Sequence, residues 1–198
     1  MIVLMSAFLL LSAFSCGGGN KANSTSEQSE ETAVNVPQFD ADSAYLYVKN
    51  QVDFGPRVPN TKEHVACGNY LAGQLEAFGA QVTNQYADLI AYDGTLLKAR
   101  NIIGSYKPES KKRIALFAHW DTRPWADNDP DEKNHNTPIL GANDGASGVG
   151  ALLEIARLVN QQQPELGIDI ILLDAEDYGA PQFYTGQHKE EFWCLGSQ

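Results

Sequence analysis

Three groups of polar residues in the sequence have the side chains that metal binding and proton transfer require. The first is His119-Trp120-Asp121, the second is Gly141-Ala142-Asn143-Asp144-Gly145-Ala146-Ser147-Gly148, and the third is Asp174-Ala175-Glu176-Asp177. If they met in one place, their carboxylates would repel one another and raise one another's pKa unless a cation were present. Histidine with carboxylates, rather than a set of thiolates, suits zinc in an open catalytic site. The three groups therefore predict a catalytic zinc site.

Each group also has a simpler explanation when it is taken alone. Asp144 could cap the helix that follows it, with the neighbouring glycines forming turns. His119 could be a hydrogen-bonded core residue at the end of a strand. Residues 174–177 could be a solvated exit from another strand. The occurrence of all three groups at the ends of successive strands favours one shared site.

The elements before these groups must bring them together. Residues 113–119 and 168–173 are continuous apolar runs, typical of strands that are buried on both faces, and residues 146–162 between them have helical periodicity. A strand, a crossover helix and a second strand form a parallel unit of an α/β sheet. Ligand sites in such sheets lie at the carboxyl ends of the strands, where the polar groups are found.

The upstream sequence completes one predicted domain, residues 37–198. Helices are expected at 40–54 and from Asn60 or Thr61 to Gly79. Strands are expected at 81–92 and 95–103, joined by the hairpin signal Asp93-Gly94. The expected fold class is α/β, with a mixed, largely parallel central sheet flanked by helices.

Two further motifs precede the polar groups in a fixed order. Gly55-Pro56-Arg57-Val58-Pro59-Asn60 comes first and Arg100-Asn101-Ile102-Ile103-Gly104 second, and the first polar group continues as Thr122-Arg123-Pro124. This ordered set resembles the family-28 metallopeptidases, which include zinc aminopeptidases and the animal-type glutaminyl cyclases. The stretches 119–127 and 176–179 are most similar to bacterial glutaminyl cyclases. The resemblance covers Phe54 to the C-terminus and implies an incomplete zinc aminopeptidase-like fold.

The resemblance also implies roles for individual residues. Asp144 and Asp177 would be zinc ligands, and Glu176 would be the general acid/base. His119 would bind a second metal only if the site is dinuclear, and Asp121 would orient His119. A cis peptide bond is expected after Asp144. Asp177 stands where many relatives have glutamate, so its backbone is expected to lie closer to the metal.

The family takes a further histidine ligand from much later in the chain. His64, His135 and His188 match no family motif and are expected at the surface. Asp144 and Asp177 thus supply two of the three protein ligands that catalytic zinc usually has. We therefore expect a truncated reading frame or a fragment, ending at Gln198, that binds metal weakly.

The resemblance implies a glutaminyl-peptide cyclotransferase with one zinc ion, which forms N-terminal pyroglutamate on peptides or proteins and releases ammonia. A dinuclear zinc aminopeptidase is the alternative, with nearly the same residues. A non-catalytic binding lipoprotein or inactive fragment is the second alternative. Trp120, Trp125 and Trp193 could shape a glutamine pocket, although packing roles are favoured for all three.

Charge excludes one class of partner. The chain has 14 basic and 25 acidic residues, a net charge of -11, whereas nucleic-acid binding needs clustered Lys and Arg. Nucleic acid is therefore not expected as a partner. Cys67 and Cys194 are expected to be small core residues, and the sequence leaves open both a disulfide between them and the oligomeric state.

The N-terminus predicts export. An apolar run over residues 1–14 is too short to span a bilayer comfortably, and Ser15-Cys16-Gly17 follows it. This resembles a bacterial lipoprotein signal, residues 1–16, with Cys16 as the lipid anchor. An ordinary secretory signal with a chance cysteine is the alternative. Residues 17–36 predict a flexible linker, so we expect a periplasmic or surface lipoprotein of the bacterial cell envelope, held to the membrane only by its lipid.

Overall fold

The computed structural model describes residues 35–198. The predicted signal with Cys16, and nearly all of the predicted linker, lie outside the described residues. The described helices and strands are α1 (Ala41–Asp53), α2 (Lys62–Ala77), β1 (Gln81–Ile90), β2 (Leu96–Tyr106), β3 (Arg113–His119), α3 (Ala146–Gln161) and β4 (Gly167–Leu173). In this part of the chain, none of the helices has the length and apolar character needed to cross a membrane.

The helices begin at residues that satisfy their first backbone N–H groups. The Asp40 carboxylate accepts hydrogen bonds from the main-chain N–H groups of Asp42 and Ser43 at the start of α1. The Thr61 hydroxyl accepts one from the N–H of His64 at the start of α2. Such caps stabilise a helix by about 1 kcal/mol each. The predicted helix boundaries are confirmed to within two residues.

The four strands form one mixed sheet in the order β1-β2-β4-β3. β1 and β2 form an antiparallel hairpin through Asp93-Gly94, and β2 pairs antiparallel with β4. β3 and β4 are parallel, from Arg113 opposite Gly167 to His119 opposite Leu173. The mixed sheet and the parallel unit with its crossover helix are confirmed. Antiparallel pairings nevertheless outnumber the parallel one in the described residues, because the hairpin joins β4 through β2.

One prediction about burial is wrong. β3 was expected to be buried on both faces, but it lies at an edge of the sheet, and Ile114 and Phe117 are 47% and 59% exposed. An edge strand has a neighbour on one side only, so apolar composition alone does not bury it. β4 lies inside the sheet, and its Ile170 and Leu172 are fully buried.

The hydrophobic core lies between the sheet and the helices α2 and α3. It contains Cys67, Leu71 and Leu75 of α2, Ile102 and Tyr106 of β2, Val149 and Leu153 of α3, and Ile170 and Leu172 of β4. α1 packs on α3, where a Cβ at Gly150 would lie 2.6 Å from a methyl group of Val48. This core fixes β3, α3 and β4 relative to one another, and with them the loops at their ends.

Candidate active site

The three polar groups of the sequence lie together at the carboxyl ends of β3 and β4. His119 is the last residue of β3, and its Nε2 is 3.1 Å from Asp144 Oδ1, just before α3. Its Nδ1 is 3.7 Å from Oε2 of Glu176, which follows β4. The parallel pairing of β3 with β4 ends both strands at the same edge, which explains this convergence.

Asp121 connects two of the loops. Its buried carboxylate accepts hydrogen bonds from the main-chain N–H groups of Glu176 and Asp177, both at 3.1 Å. Its Oδ1 also lies 3.5 Å from Nδ1 of His119, which is too long for a strong hydrogen bond, and this ring nitrogen is buried without another partner. Asp121 therefore holds the loop after β4 and faces the ring of His119.

Asp144 does not cap the helix that follows it. The N-cap of α3 is Gly145, with no side-chain capping bond, and the Asp144 side chain is 59% exposed beside His119. The capping explanation is therefore wrong. The expected cis bond after Asp144 is also wrong, since the described residues have no cis peptide bond. Gly145 instead has φ 87°, and a Cβ there would lie 2.9 Å from the carbonyl oxygen of Asp121.

The electrostatics of the site are those of crowded, partly buried charges. Burial, together with the charges of Asp144 and Asp121, raises the pKa of Asp177 to about 7. Burial lowers the pKa of His119, but Asp121, Glu176 and Asp144 outweigh it and raise the value to about 9. In this arrangement Asp177 resists ionisation and His119 holds a proton.

The donor types in this arrangement fit zinc. Asp177 Oδ2 is buried and has no hydrogen-bond partner, so a carboxylate oxygen is left for a cation. Asp144 contributes a second carboxylate and His119 a ring nitrogen, both of which zinc accepts. Within residues 35–198, no three or more His, Cys, Asp or Glu side chains are grouped closely enough to hold a metal ion. The fit therefore lies in the chemistry of the donors and in the unpaired oxygen of Asp177.

Comparison with known proteins identifies the family. Residues 101–198 match the family model described as Peptidase family M28. The chain contains a peptidase family M28 domain. Two similar solved structures, a glutaminyl cyclase from Bacteroides thetaiotaomicron bound to N-acetylhistamine and a leucine aminopeptidase precursor from Bacteroides thetaiotaomicron VPI-5482, are each 94% identical to this chain, with TM-scores of 0.81 and 0.82. A Zn-dependent exopeptidase from Parabacteroides distasonis is 64% identical, with a TM-score of 0.80.

These matches cover most of this chain but only part of the similar proteins. The first two structures align with 82% of this chain and the third with 81%. The chain spans 56%, 56% and 55% of their own lengths. The predicted resemblance and fold are thus confirmed. The names of the neighbours include both a cyclase and an aminopeptidase, and the M28 family implies zinc and a peptidase-like enzyme.

Arg57 is a buried residue upstream of the matched range, and the sequence did not reveal its role. Its guanidinium donates hydrogen bonds to the carbonyl oxygens of Trp120 at 3.1 Å, Leu140 at 2.7 Å and Gly141 at 2.9 Å. It thereby ties the loop after β3 to the loop before α3. The only signal for Arg57 in the sequence was its place in the motif 55–60. That motif does not show that the side chain points inward, so the role of Arg57 could not be predicted.

Arg123 places a second positive charge beside the acidic residues of the M28 domain. Its guanidinium forms an ion pair with Asp127 and donates a hydrogen bond to the carbonyl oxygen of Asp177 at 3.1 Å. It also lies 3.7 Å from Asp177 Oδ1 and 4.8 Å from the ring centre of Trp193. Arg123 therefore offsets part of the negative charge and orders the segment after β4.

His64 is not at the surface, so that prediction is wrong. It lies on the inward face of α2 and is 3% exposed, with Nε2 at 2.9 and 2.8 Å from the two carboxylate oxygens of Asp174. Asp174 itself is buried, which also rules out a solvated strand exit. His135 is partly buried against Phe183, so its predicted surface position is also only approximate.

His188 is exposed, as predicted, and it lines a cavity of about 300 Å³ together with Arg123, Asp144, Asp177 and Trp193. A neighbouring cavity of about 260 Å³ is lined in part by Trp125. Trp120 is fully buried and serves packing, as favoured from the sequence. The open space of the site therefore lies on the side of Trp193 and Trp125.

The two described cysteines are free, and they differ in position. Cys67 is fully buried in the core, as predicted. Cys194 is only partly buried, and its Sγ lies 3.3 Å from Glu176 Oε1, so its prediction as a core residue is wrong. The reason is its N–H bond to the carbonyl oxygen of Glu176 at 3.0 Å, which holds residue 194 against the site loop rather than under the sheet.

Proposed function

We propose that the protein is a zinc-dependent glutaminyl-peptide cyclotransferase, which converts an N-terminal glutamine of a peptide or protein to pyroglutamate and releases ammonia. The observation that carries this proposal is the 94% identity to a Bacteroides thetaiotaomicron glutaminyl cyclase over 82% of the chain. The site geometry agrees with it, because a carboxylate that can move a proton lies beside two others that suit a metal. The substrate class, peptide N-termini, follows from the same neighbours.

Glu176 is the proposed general acid/base. In the reaction, the substrate's α-amino nitrogen bonds to the γ-carboxamide carbon, the bond from that carbon to the amide nitrogen breaks, and ammonia leaves. One proton must pass from the attacking nitrogen to the departing nitrogen. The Glu176 side chain is 35% exposed, and its N–H is bonded to Asp121, so its carboxylate is accessible to a substrate bound at this site. Since the ring closure is intramolecular, the protein mainly has to hold the near-attack geometry.

Asp144 and Asp177 are the proposed zinc ligands, and zinc bound there supplies a Lewis acid for the carbonyl oxygen of the substrate amide. Asp121 orients the site by facing His119 and by accepting the N–H groups of residues 176 and 177. The cavity of about 300 Å³ beside Trp193 would take the glutamine side chain. The proposed roles of Asp144, Asp177 and Asp121 thus rest on the contacts that these side chains make within the site.

A dinuclear zinc aminopeptidase is the second candidate, and one contact favours it. His119 Nε2 lies 3.1 Å from Asp144 Oδ1, so this histidine and this carboxylate are the residues that would hold a second zinc ion. The leucine aminopeptidase precursor from Bacteroides thetaiotaomicron, which is 94% identical, supports the same alternative. If the present protein is an aminopeptidase, Glu176 would activate a water molecule instead of an amine.

The test compares ammonia release from a glutaminyl peptide with amino-acid release from a leucyl peptide, in protein supplied with zinc. We expect ammonia release that falls at least about 100-fold in Glu176→Gln, the lower end of what a general acid/base contributes. Glu165→Gln, at an exposed residue before β4, is the matched control and should keep full activity. Free amino acids without ammonia, with two zinc ions bound per chain, would replace the cyclase by the aminopeptidase.

We also propose that the protein is a lipoprotein of the bacterial cell envelope, anchored through Cys16. The proposal rests on the apolar run before this cysteine and on the Gly- and Ser-rich residues after it. Metabolic labelling with a fatty acid should mark the wild-type protein and leave Cys16→Ser unlabelled. Equal labelling of both proteins, or of neither, would exclude this anchor.

A further inference from the structure

We propose that His64 is a positioning residue that holds two loops of the site in place through opposite parts of one imidazole ring. His64 belongs to α2, which contributes none of the proposed ligands or the general acid/base. Its ring nitrogen binds the loop after β4, and its face packs against the loop after β3. The kinetic part of this inference rests on the proposed cyclase activity, whereas the structural part does not.

The first contact is the hydrogen bond to Asp174. The two carboxylate oxygens of Asp174 also accept the N–H of Arg100 at 2.7 Å and the N–H of Ala175 at 2.8 Å. His64 Nε2 is thus the third donor on a carboxylate that is otherwise closed to solvent. A buried carboxylate needs such donors, and the loss of one leaves it underpaired. His64 therefore fixes where the Asp174 side chain lies.

Asp174 constrains the position of Glu176, in addition to the hydrogen bond from the Glu176 N–H to Asp121. Ala175, between them, has φ 52°, in the left-handed region that an alanine adopts only at a cost of roughly 1 kcal/mol or more. The N–H of Ala175 is bonded to the Asp174 carboxylate, so the turn is held from that side chain. If the carboxylate shifted, the turn could relax toward ordinary φ values and move the carboxylate of Glu176.

The second contact is the stacking of His64 on Trp120. The ring centroids are 4.3 Å apart and the planes are inclined by 17°. Trp120 stands between His119 and Asp121, and its Nε1 donates a hydrogen bond to the carbonyl oxygen of Arg100 at 3.2 Å. A Cβ at Gly68 of α2 would lie 3.0 Å from the Trp120 ring, so this indole is enclosed by the helix. The stack therefore fixes the distance between α2 and the loop that carries His119 and Asp121.

The two contacts can be separated by substitution. His64→Gln places an amide nitrogen near the position of Nε2 and removes the aromatic ring, whereas His64→Met has similar size and no donor. His64→Phe keeps the ring and removes the donor. His135→Gln, at a histidine outside the site, controls for the loss of a histidine as such.

We expect His64→Met to lower kcat for ammonia release about tenfold, with KM within about twofold, as for other groups that orient a functional side chain. His64→Gln keeps a donor for Asp174 but loses the stack on Trp120, so its kcat should fall less than that of His64→Met, whereas His135→Gln should match the wild type. Hydrogen exchange of the Ala175 amide should be faster in His64→Met than in His64→Gln, whether or not the protein is a cyclase. Should His64→Met fail to fold, His64→Phe provides the same comparison with His64→Gln.

Two results would overturn the proposal. One is an Ala175 amide that exchanges at the same rate in His64→Met, or its phenylalanine replacement, as in His64→Gln. The other is a kcat that falls equally in the donor and non-donor variants, because a role of size alone would then explain the loss. Absence of ammonia release in the wild type would instead refute the proposed function, and the exchange rates would still decide the role of His64.

Discussion

Replacing Asp177 by asparagine should stabilise the zinc-free protein at neutral and alkaline pH. The side chain is buried, its Oδ2 has no partner, and its pKa is raised to about 7 by burial and by the charges of Asp144 and Asp121. The folded state therefore holds this proton more tightly than the unfolded chain, where the carboxyl has its ordinary pKa of 3.8. Stability must then fall as the pH rises from the unfolded value to the folded one.

The size of the effect follows from the same shift. Between pH 5 and pH 7 the unfolded carboxyl is ionised and the folded one is largely protonated, so each pH unit costs the wild type about 1.4 kcal/mol. The accumulated loss is about 3 kcal/mol, and it levels off above pH 7. Asparagine resembles the protonated acid and does not titrate, so Asp177→Asn should show none of this loss.

The titration of His119 does not affect the comparison of wild-type stability with that of Asp177→Asn. Its pKa is raised to about 9, so its stabilising contribution is complete below the unfolded value of 6.5 and is lost as the pH rises through 9. The carboxylates that outweigh burial and raise it are Asp121, Glu176 and Asp144, all of which remain in Asp177→Asn. The histidine contribution is therefore nearly the same in both proteins and cancels in their difference.

The assay is urea unfolding of both proteins in the presence of a chelator at pH 5, 6, 7 and 8. The difference in unfolding free energy should move by about 3 kcal/mol in favour of Asp177→Asn across this range. Parallel stability curves would refute the assigned burial and charge environment of Asp177. Added zinc should then reverse the order, because a ligand that binds only the folded wild type stabilises it by mass action. Equal stabilisation of both proteins by zinc would show that Asp177 is not a ligand.

Two further substitutions test the frame of the site. Gly145→Ala should destabilise the protein by about 1–3 kcal/mol, since φ is 87° and the new Cβ would meet the carbonyl oxygen of Asp121. The measurement is thermal unfolding, and the control is Gly94→Ala, at a position with φ 84° where a Cβ would meet no other atom. The difference between the two variants separates the cost of the clash from the cost of the backbone conformation. Arg57→Lys should lose about 1–3 kcal/mol, since one ammonium group cannot reach all three carbonyl oxygens that the guanidinium reaches, and unchanged urea unfolding would contradict this role.

The regular elements could be predicted because their signals are local. The bounds of the strand at residues 113–119 agree with the structure residue for residue, and Thr61 caps α2 as expected. Hydrophobic periodicity, capping residues and the Asp93-Gly94 turn all act within a few residues of chain. The burial of β3 could not be predicted in the same way, because it depends on which strands lie beside it.

The convergence of the polar groups could also be predicted, for a different reason. Asp144, Glu176 and Asp177 belong to residue types that do chemistry, and they follow elements whose parallel pairing brings their ends together. The supporting residues carry no such mark. His64 reaches Asp174 across 110 positions of sequence, and Arg57 reaches Trp120 across 63. A histidine on a helix or an arginine in a loop is most often exposed, so only tertiary contacts reveal these two.

The two buried arginines explain how the acidic groups can be close together before a metal binds. Arg57 lies beneath the loops near Asp121, and Arg123 lies against Asp127 and Asp177, so much of the negative charge is offset within the protein. The compensation is incomplete at one place, because Asp177 keeps a raised pKa and an unpaired oxygen. A fully neutralised cluster would gain little from a cation, whereas a cluster with one uncompensated carboxylate gains most at that carboxylate. If zinc binds at Asp177 as proposed, this carboxyl must first lose its proton, so zinc binding should strengthen as the pH rises toward 7.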